Sequence, residues 1–466
     1  MRQALIKRAF FTLYLTPLES FTPPGLNGPR LNDPMPDTLD TTARGEVSPS
    51  AFRRSLDAWL PATADPRDRE FLRDLLAMGG ILFVLTAIAY LATCAWTLPF
   101  PRDKTGLVVG RDFLNLWMYG RAVADADPAR FYDIAVYNAE LTKLLGDGYP
   151  GQNWPNPPTA LLVMAPFGLL GFFPALFAWL AIGITALALT MRRVLADARV
   201  LPVLLVSPAA LLCLMSGQSS FLTTAALIGA VVCWDRRPLL AGVLLGLLTV
   251  KPQLGILIPV ALLASQRWTV FATAALTALA LAGFAAALFG PEIWIAYITK
   301  ALPLQREVLA DPSGIAMPFH ATIFMNLRGL LGNDVAMIVQ AASSVAAVAA
   351  VAWAFWFKRD ADVAVLCALL LACTQAASPY MSSYDLLPLT LMALVLLARG
   401  ECDAAGRRLA QLVFWMPALQ LLFGSIQMPG PGFIAPALAI YLVLRLRDNT
   451  QPVIAGREQS ERARNP

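Results

Sequence analysis

The feature that most constrains this chain is a series of apolar segments that recurs from about residue 77 to residue 444. The first clear segment, 77–96, is close to the roughly 20 residues that a helix needs to cross the hydrocarbon core of a bilayer. The later segments lie near 159–191, 201–215, 221–234, 238–250, 252–265, 268–289, 336–357, 362–377, 385–398, 409–424 and 431–444. Backbone polar groups in a bilayer must find partners within the protein, so the series predicts an all-α polytopic membrane protein with about 12 transmembrane helices, give or take about two. Several runs are short, and the run at 159–191 could hold a re-entrant piece before Pro174.

The composition supports this prediction and excludes several other classes of protein. Only 14% of the residues are charged, whereas a soluble domain usually carries about 25%. The net charge of +5 forms no basic patch with interleaved aromatic residues, so nucleic acid is not an expected partner. The six cysteines lack paired spacing, which favours buried free thiols. With His320 as the single histidine, a multi-histidine metal site is excluded, and we expect no metal and no other cofactor.

Residues outside the apolar series divide the chain into three predicted parts. Residues 1–72 are rich in Pro, Asp, Thr and Arg and predict a disordered cytoplasmic N-terminal tail. The apolar patch at 9–15 is short and lacks a small-residue cleavage site, so we expect it to stay uncleaved. Residues 73–447 form the predicted transmembrane domain, and 448–466 form a disordered cytoplasmic C-terminal tail.

The positions of lysine and arginine indicate the orientation, because cytoplasmic loops carry an excess of both. With the N-terminus inside, every predicted cytoplasmic turn is basic. These residues are Arg67, Arg69, Arg73, Arg192, Arg193, Arg236, Arg237, Arg267, Lys358, Arg359, Arg407, Arg408, Arg445 and Arg447. We therefore predict a multi-pass protein with both termini in the cytoplasm.

A different group of polar residues falls at the opposite, non-cytoplasmic ends of the predicted spans. The group consists of Asp112, Asn115, Trp154, Asn156, Gln218, Lys251, Gln253, His320, Tyr380, Ser383, Tyr384 and Asp385. Polar and ionisable groups at membrane depth are energetically costly, so their convergence on one face predicts a functional site.

Asp112 opens a short predicted helix at the membrane interface, in which Asp112, Asn115 and Tyr119 share one face. Its carboxylate could accept a proton from a substrate hydroxyl. Considered alone, helix capping is the favoured interpretation, because an acid at a helix N-terminus is stabilising.

Lys251 lies in a break between two apolar runs, where Pro252 ends the preceding helix. The break would leave the ammonium free for a ligand such as a lipid phosphate. The alternative is a lysine whose side chain extends to the interface.

Three further residues allow two interpretations each. Gln218 fits either the site or ordinary turn chemistry, and His320 fits either the site or a solvated loop. Asp385 opens an apolar run, which favours a stabilising acid at a helix start.

Taken together, these residues resemble glycosyltransferase family 87, a family of bacterial membrane mannosyltransferases and relatives with the C-type glycosyltransferase (GT-C) fold. The matching elements are Asp112-Phe113, Asp127-Pro128-Ala129-Arg130-Phe131-Tyr132-Asp133, Pro157-Pro158, Gly217-Gln218, Lys251-Pro252-Gln253 and Ser378-Pro379-Tyr380. Each element is short, but the order of the elements and their predicted location on one side of the membrane make the set more specific. The resemblance covers roughly residues 77–445. Two departures mean that the resemblance does not identify the sugar or the acceptor pocket. Ser219-Ser220 stands where members often show Asn, and Trp154-Pro155-Asn156 replaces a more aromatic segment before the Pro-Pro pair.

The resemblance implies a GT-C-like bundle with interfacial helices in its outer loops. It also implies transfer of a hexose from a polyprenyl-phosphate donor to a lipid or glycan acceptor. Mannose is the first candidate for that hexose. The reaction would take place at the outer face of the bacterial inner membrane, among membrane lipids. Asp112 matches the family's first-loop catalytic acid and would act as general base, while Lys251 would stabilise charge on the phosphate.

The other residues proposed to bind substrate are Asn115, Gln218, Gln253, His320 and Tyr380. Two other functions fit the same spans and polar groups. One is a membrane transporter, although no inverted repeat is evident. The other is a lipid-linked glycan polymerase or ligase, which would be expected to rely on basic residues in a large outer loop.

Overall fold

The computed structural model describes residues 56–61, 66–194, 200–311, 316–400 and 402–448. These residues form helices joined by turns and loops, and no β-strand occurs among them. Residues 1–55 and 449–466, which include most of the predicted tails and the apolar patch at 9–15, lie outside the described residues.

We number the described α-helices in chain order. They are α1 (Pro66–Ala92), α2 (Phe113–Ala122), α3 (Ile134–Leu145), α4 (Thr159–Gly168), α5 (Phe172–Val194), α6 (Val200–Leu205), α7 (Pro208–Ser216), α8 (Ser220–Cys233), α9 (Pro238–Gly246), α10 (Ile258–Ala264), α11 (Trp268–Phe289), α12 (Glu292–Ala296), α13 (Leu302–Ala310), α14 (Ile323–Phe357), α15 (Val363–Ala377), α16 (Leu387–Ala398), α17 (Ala404–Ser425) and α18 (Ile434–Asp448).

Within the described part of the chain, four helices are long and apolar enough to cross a membrane, namely α1, α5, α11 and α14. The other apolar helices are shorter, so the prediction of about 12 transmembrane helices is not confirmed. One cause of the difference is that proline and glycine end helices inside runs that are continuously apolar. The run at 159–191, for example, divides into α4 and α5 around Gly171.

The first and the longest helices begin earlier than the sequence predicts. α1 begins at Pro66, ahead of the predicted domain boundary at residue 73, and Leu72 on its first turns is fully buried. α14 begins at Ile323 and changes direction at Gly332, whose φ of +77° is easily adopted only by glycine. The predicted run at 336–357 is the part of α14 after this kink.

Two central helices form the middle of the bundle. Every residue of α16 is buried, and in α15 every residue after Val363 is buried. A helix that is apolar on all faces must be surrounded by protein or lipid, and α15 and α16 are surrounded by protein. α8, α14, α17 and α18 lie in contact with this pair.

Three helix breaks lie at one end of the bundle and position the site. α7 ends at Gly217 and α8 begins after it; the 3₁₀ turns Leu247–Val250 and Pro252–Gly255 flank Lys251; and the 3₁₀ turn Ser383–Leu386 leads into α16. The opposite helix ends carry ion pairs, which join Arg267 to Asp235 (2.9 Å), Arg399 to Asp362 (2.8 Å) and Arg407 to Asp68 (2.5 Å).

Candidate functional site

Asp112 stands at the N-terminal boundary of α2, but its side chain does not cap that helix. The carboxylate makes no hydrogen bond with the α2 backbone. Its Oδ2 instead accepts a hydrogen bond from Nε2 of Gln218, at 3.0 Å. The residue therefore does not serve as the simple helix cap that its position suggested.

A glycine explains how Gln218 comes to lie beside Asp112. Gly217 ends α7 with φ +62°, a left-handed conformation that closes the helix. A Cβ atom added to Gly217 would lie 2.4 Å from Cβ of Phe113, so only glycine lets this turn approach the start of α2 so closely. The neighbouring Gln218 then reaches both Asp112 and, at 3.1 Å, the hydroxyl oxygen of Tyr384.

Lys251 is buried and forms an ion pair with Asp385. Its Nζ lies 2.7 Å from Oδ1 of Asp385, and 8% and 1% of the two side chains are exposed. The same oxygen accepts a hydrogen bond from the Ser220 hydroxyl at 3.1 Å, and the ammonium lies 4.7 Å from the ring centroid of Tyr384. The expectation that Pro252 leaves this ammonium free is therefore wrong, because a charge this deeply buried requires a counter-charge.

His320 lies between the 3₁₀ turn Met317–Phe319 and α14, and its ring packs against Tyr380 with centroids 4.8 Å apart. Its Nδ1 lies 2.9 Å from the carbonyl oxygen of Ala316, so Nδ1 carries the proton. Burial lowers the pKa of His320 below its ordinary value, which favours the neutral ring. Nε2 is then an acceptor, and within the described residues it is buried without a partner.

Two of the predicted substrate-binding residues are not joined to these groups. Asn115 is buried, and its Oδ1 accepts a hydrogen bond from the hydroxyl of Tyr137 at 2.5 Å. Burial raises the pKa of Tyr137 well above its ordinary value, so the hydroxyl remains a donor. Gln253 is half-buried in the turn after Lys251, and no hydrogen bond links it to another site residue in the described segments.

The structure adds Tyr384 and Asp385 to the predicted site, and both connect its two halves. The sequence places them among the outer polar residues but favours a helix start for Asp385. The signal that could have identified Asp385 is electrostatic. Lys251 lies between apolar runs and needs a nearby carboxylate, and Asp112 and Asp385 are the acids in the outer polar group.

Comparison with known proteins identifies one family. The sequence model described as glycosyltransferase family 87 matches residues 154–382. Within this stretch lie the site residues Gln218, Lys251, Gln253, His320 and Tyr380, whereas Asp112 and Asn115 precede it. Neither the curated proteins nor the solved structures give a match.

Proposed function

We propose that this chain, whose residues 154–382 match the sequence model of glycosyltransferase family 87, transfers a hexose from a polyprenyl-phosphate donor to a lipid or glycan acceptor. Mannose is the first candidate for that hexose. In our proposal the site faces the non-cytoplasmic side of a bacterial inner membrane. One bond forms between the acceptor oxygen and the anomeric carbon, and the bond from that carbon to the phosphate oxygen breaks. A single displacement of this kind inverts the configuration at the anomeric carbon.

The observation that carries this proposal is the chain of contacts from Asp112 to Lys251. One amide nitrogen of Gln218 lies 3.0 Å from the carboxylate and 3.1 Å from the hydroxyl of Tyr384. The Tyr384 ring in turn lies 4.7 Å below the ammonium of Lys251. A carboxylate suited to accept a proton and a cation suited to a phosphate therefore belong to one cluster, although they lie 139 positions apart in the sequence.

Asp112 is proposed as the general base. Gln218 occupies Oδ2, and no described residue donates a hydrogen bond to Oδ1, which leaves that oxygen for the acceptor hydroxyl. As the hydroxyl oxygen attacks the anomeric carbon, its proton moves to Asp112. Tyr384 accepts from Gln218, so its own hydroxyl proton is available to the departing phosphate.

Lys251 is proposed to assist the departing phosphate despite its ion pair. An ammonium has three N–H donors, and among the described residues Asp385 accepts one of them. Because Asp385 balances the charge, Lys251 contributes directed hydrogen bonds more than net positive charge. Developing negative charge at a site from which water is excluded is stabilised strongly by such preorganised donors.

The remaining proposed substrate-binding residues have different capacities. The unpartnered Nε2 of His320 can accept a hydrogen bond from a sugar hydroxyl, and the adjacent Tyr380 ring offers an apolar face. Tyr137 occupies Oδ1 of Asn115, so that residue has only its amide nitrogen to offer. Gln253 is proposed to bind substrate from the turn beside Lys251.

The test is donor cleavage by purified protein in nanodiscs supplied with radiolabelled polyprenyl-phosphate hexoses and lipid acceptors. We expect Asp112→Asn to lower kcat about 10²- to 10⁴-fold, because it removes the base but keeps the size of the side chain. Asp147→Asn is the matched control, since this exposed acid lies in the same outer segment, and it should retain full activity. Full activity of Asp112→Asn would remove Asp112 from the chemistry. Failure of the wild-type protein to cleave any such donor would favour the transporter.

A further inference from the structure

The residue before Asp112 has an unusual backbone conformation. Arg111 has φ +42° and follows Gly110, whose φ is +95°. Left-handed conformations are costly for residues with a Cβ atom, and arginine has no short polar side chain to compensate locally. Such a conformation persists only where the surrounding structure imposes it, and it is concentrated at functional sites.

The side chain of Arg111 is held by a buried carboxylate. Its Nε and a terminal nitrogen lie 2.8 Å and 2.7 Å from Oδ2 of Asp103, whose side chain is 3% exposed. The other oxygen of Asp103 accepts hydrogen bonds from the backbone and the hydroxyl of Thr105, at 2.8 Å and 2.6 Å. Both oxygen atoms of this carboxylate thus accept hydrogen bonds, and these contacts hold the guanidinium in place.

The backbone of Arg111 is held independently. Its N–H donates to the carbonyl of Val108 at 2.7 Å, and its carbonyl accepts from Nε2 of Gln152 at 3.2 Å. Arg111 is therefore held through its side chain and through both of its peptide groups.

This restraint has a consequence for Asp112. A capping aspartate normally has extended backbone angles and turns its carboxylate toward the free N–H groups of its own helix. Asp112 instead has φ −68° and ψ −19°, and its carboxylate bonds to Gln218. If Arg111 relaxed to negative φ, capping of α2 would compete with the bond to Gln218.

We propose that Asp103, Arg111 and Gln152 form a positioning clamp that keeps the Asp112 carboxylate at Gln218 and away from the N-terminus of α2. This inference rests on the proposed role of Asp112 as general base. The three residues act through Asp112, and none of them contacts the reacting atoms in the proposed mechanism.

The first test is kinetic and uses Asp103→Asn and Arg111→Lys. Displacing a catalytic group by about 1 Å costs on the order of 100-fold in rate, so we expect Asp103→Asn to lower kcat about 10- to 100-fold with an unchanged KM for the donor. Arg111→Lys retains the positive charge, so its kcat should fall less than that of Asp103→Asn. Gln266→Gly is the matched control, because Gln266 is also left-handed (φ +58°) but lies in the turn before α11, and its kcat should not change.

The decisive comparison repeats Asp103→Asn in the Asp112→Asn background. A clamp that acts through Asp112 should have no further effect on the residual rate there. An equal loss in both backgrounds, or a wild-type kcat for Asp103→Asn and Arg111→Lys, would overturn the clamp. Full activity of Asp112→Asn would instead overturn the proposed function.

A second test does not depend on turnover. In an experimental structure of Asp103→Asn we expect the Asp112 carboxylate to accept hydrogen bonds from the first free amides of α2 and to leave Gln218. Retention of the 3.0 Å contact with Gln218 in that variant would overturn the clamp whatever reaction the protein catalyses.

Discussion

At the scale of single residues, the surroundings of His320 define its protonation state. Its Nδ1 donates to the Ala316 carbonyl, and burial lowers the pKa of the ring below its ordinary value of about 6.5. Asp385 and Asp112 raise that pKa and Arg328 lowers it, but burial is the largest of these effects. The ring is therefore neutral in the folded protein at pH 7, with Nε2 as an acceptor.

This state predicts a pH-dependent stability. Since the pKa of His320 is lower in the folded than in the unfolded protein, the unfolded state binds more protons below about pH 6.5. The contribution of His320 to stability is therefore complete above that pH and falls as the pH drops toward the folded-state pKa. We expect the melting temperature of the wild type, relative to His320→Gln, to decrease between pH 7 and pH 5. A constant difference across this range would show that the ring titrates normally.

At the scale of helices, α2 and α4 cross with their backbones in contact. A Cβ atom on Gly120 would lie 2.3 Å from the carbonyl oxygen of Met164 and 2.6 Å from the backbone nitrogen of Gly168. Small residues allow helices to approach this closely. Because α2 begins immediately after Asp112, this crossing also fixes the position of the proposed base.

We expect Gly120→Ala to destabilise the protein by about 1–3 kcal/mol, because the added methyl group meets backbone that cannot move aside cheaply. The rate of donor cleavage should fall together with the stability, because α2 must shift to accommodate the methyl group. Gly283→Ala in α11 is the control, because nothing lies within 4 Å of its added Cβ. Melting temperatures in detergent and donor cleavage rates measure both effects. Equal behaviour of the two variants would mean that α2 and α4 do not cross in this way.

The sequence predicts helices well where turn residues bound a single apolar run. The run at 268–289 coincides with α11, which lies between Arg267 and Gly290. Prediction fails where proline or glycine divides a run, as between α4 and α5, because hydropathy does not register the break. For Asn115, helical spacing groups the residue with Asp112 but cannot show that its Oδ1 accepts a hydrogen bond from the hydroxyl of Tyr137.

The sequence indicates the members of the candidate site as polar residues at helix ends, but it does not predict the contacts between them. Polarity at the helix ends identifies Asp112, Gln218 and Lys251 individually. Their connections depend on the close approach of Gly217 to Phe113 and on the pairing of Lys251 with Asp385. These contacts join residues more than 100 positions apart, and only the packing of the helices brings them together.

At the scale of the whole molecule, charge is arranged differently at the two ends of the bundle. The end away from the site holds arginine and aspartate pairs, among them the partly exposed pair of Arg399 with Asp362 and the pair of Arg407 with the buried Asp68. The other end holds the buried pair of Lys251 and Asp385 together with Asp112. Cytoplasmic loops carry an excess of lysine and arginine, so the basic residues that recur in the turns away from the site support our proposal that the site faces the non-cytoplasmic side.

Cysteine labelling tests that orientation directly. Lys104 lies in the loop that leads to Asp112, Asp360 lies beside Lys358 at the opposite end, and both are exposed. The native cysteines are buried except for the half-buried Cys233, so we expect the Cys233→Ser variant to show little labelling of its own. We expect Lys104→Cys to react with a membrane-impermeant maleimide in intact spheroplasts, and Asp360→Cys to react only after the membrane is permeabilised. The reverse pattern would place Asp112 on the cytoplasmic side, where a donor displayed at the outer face could not reach it.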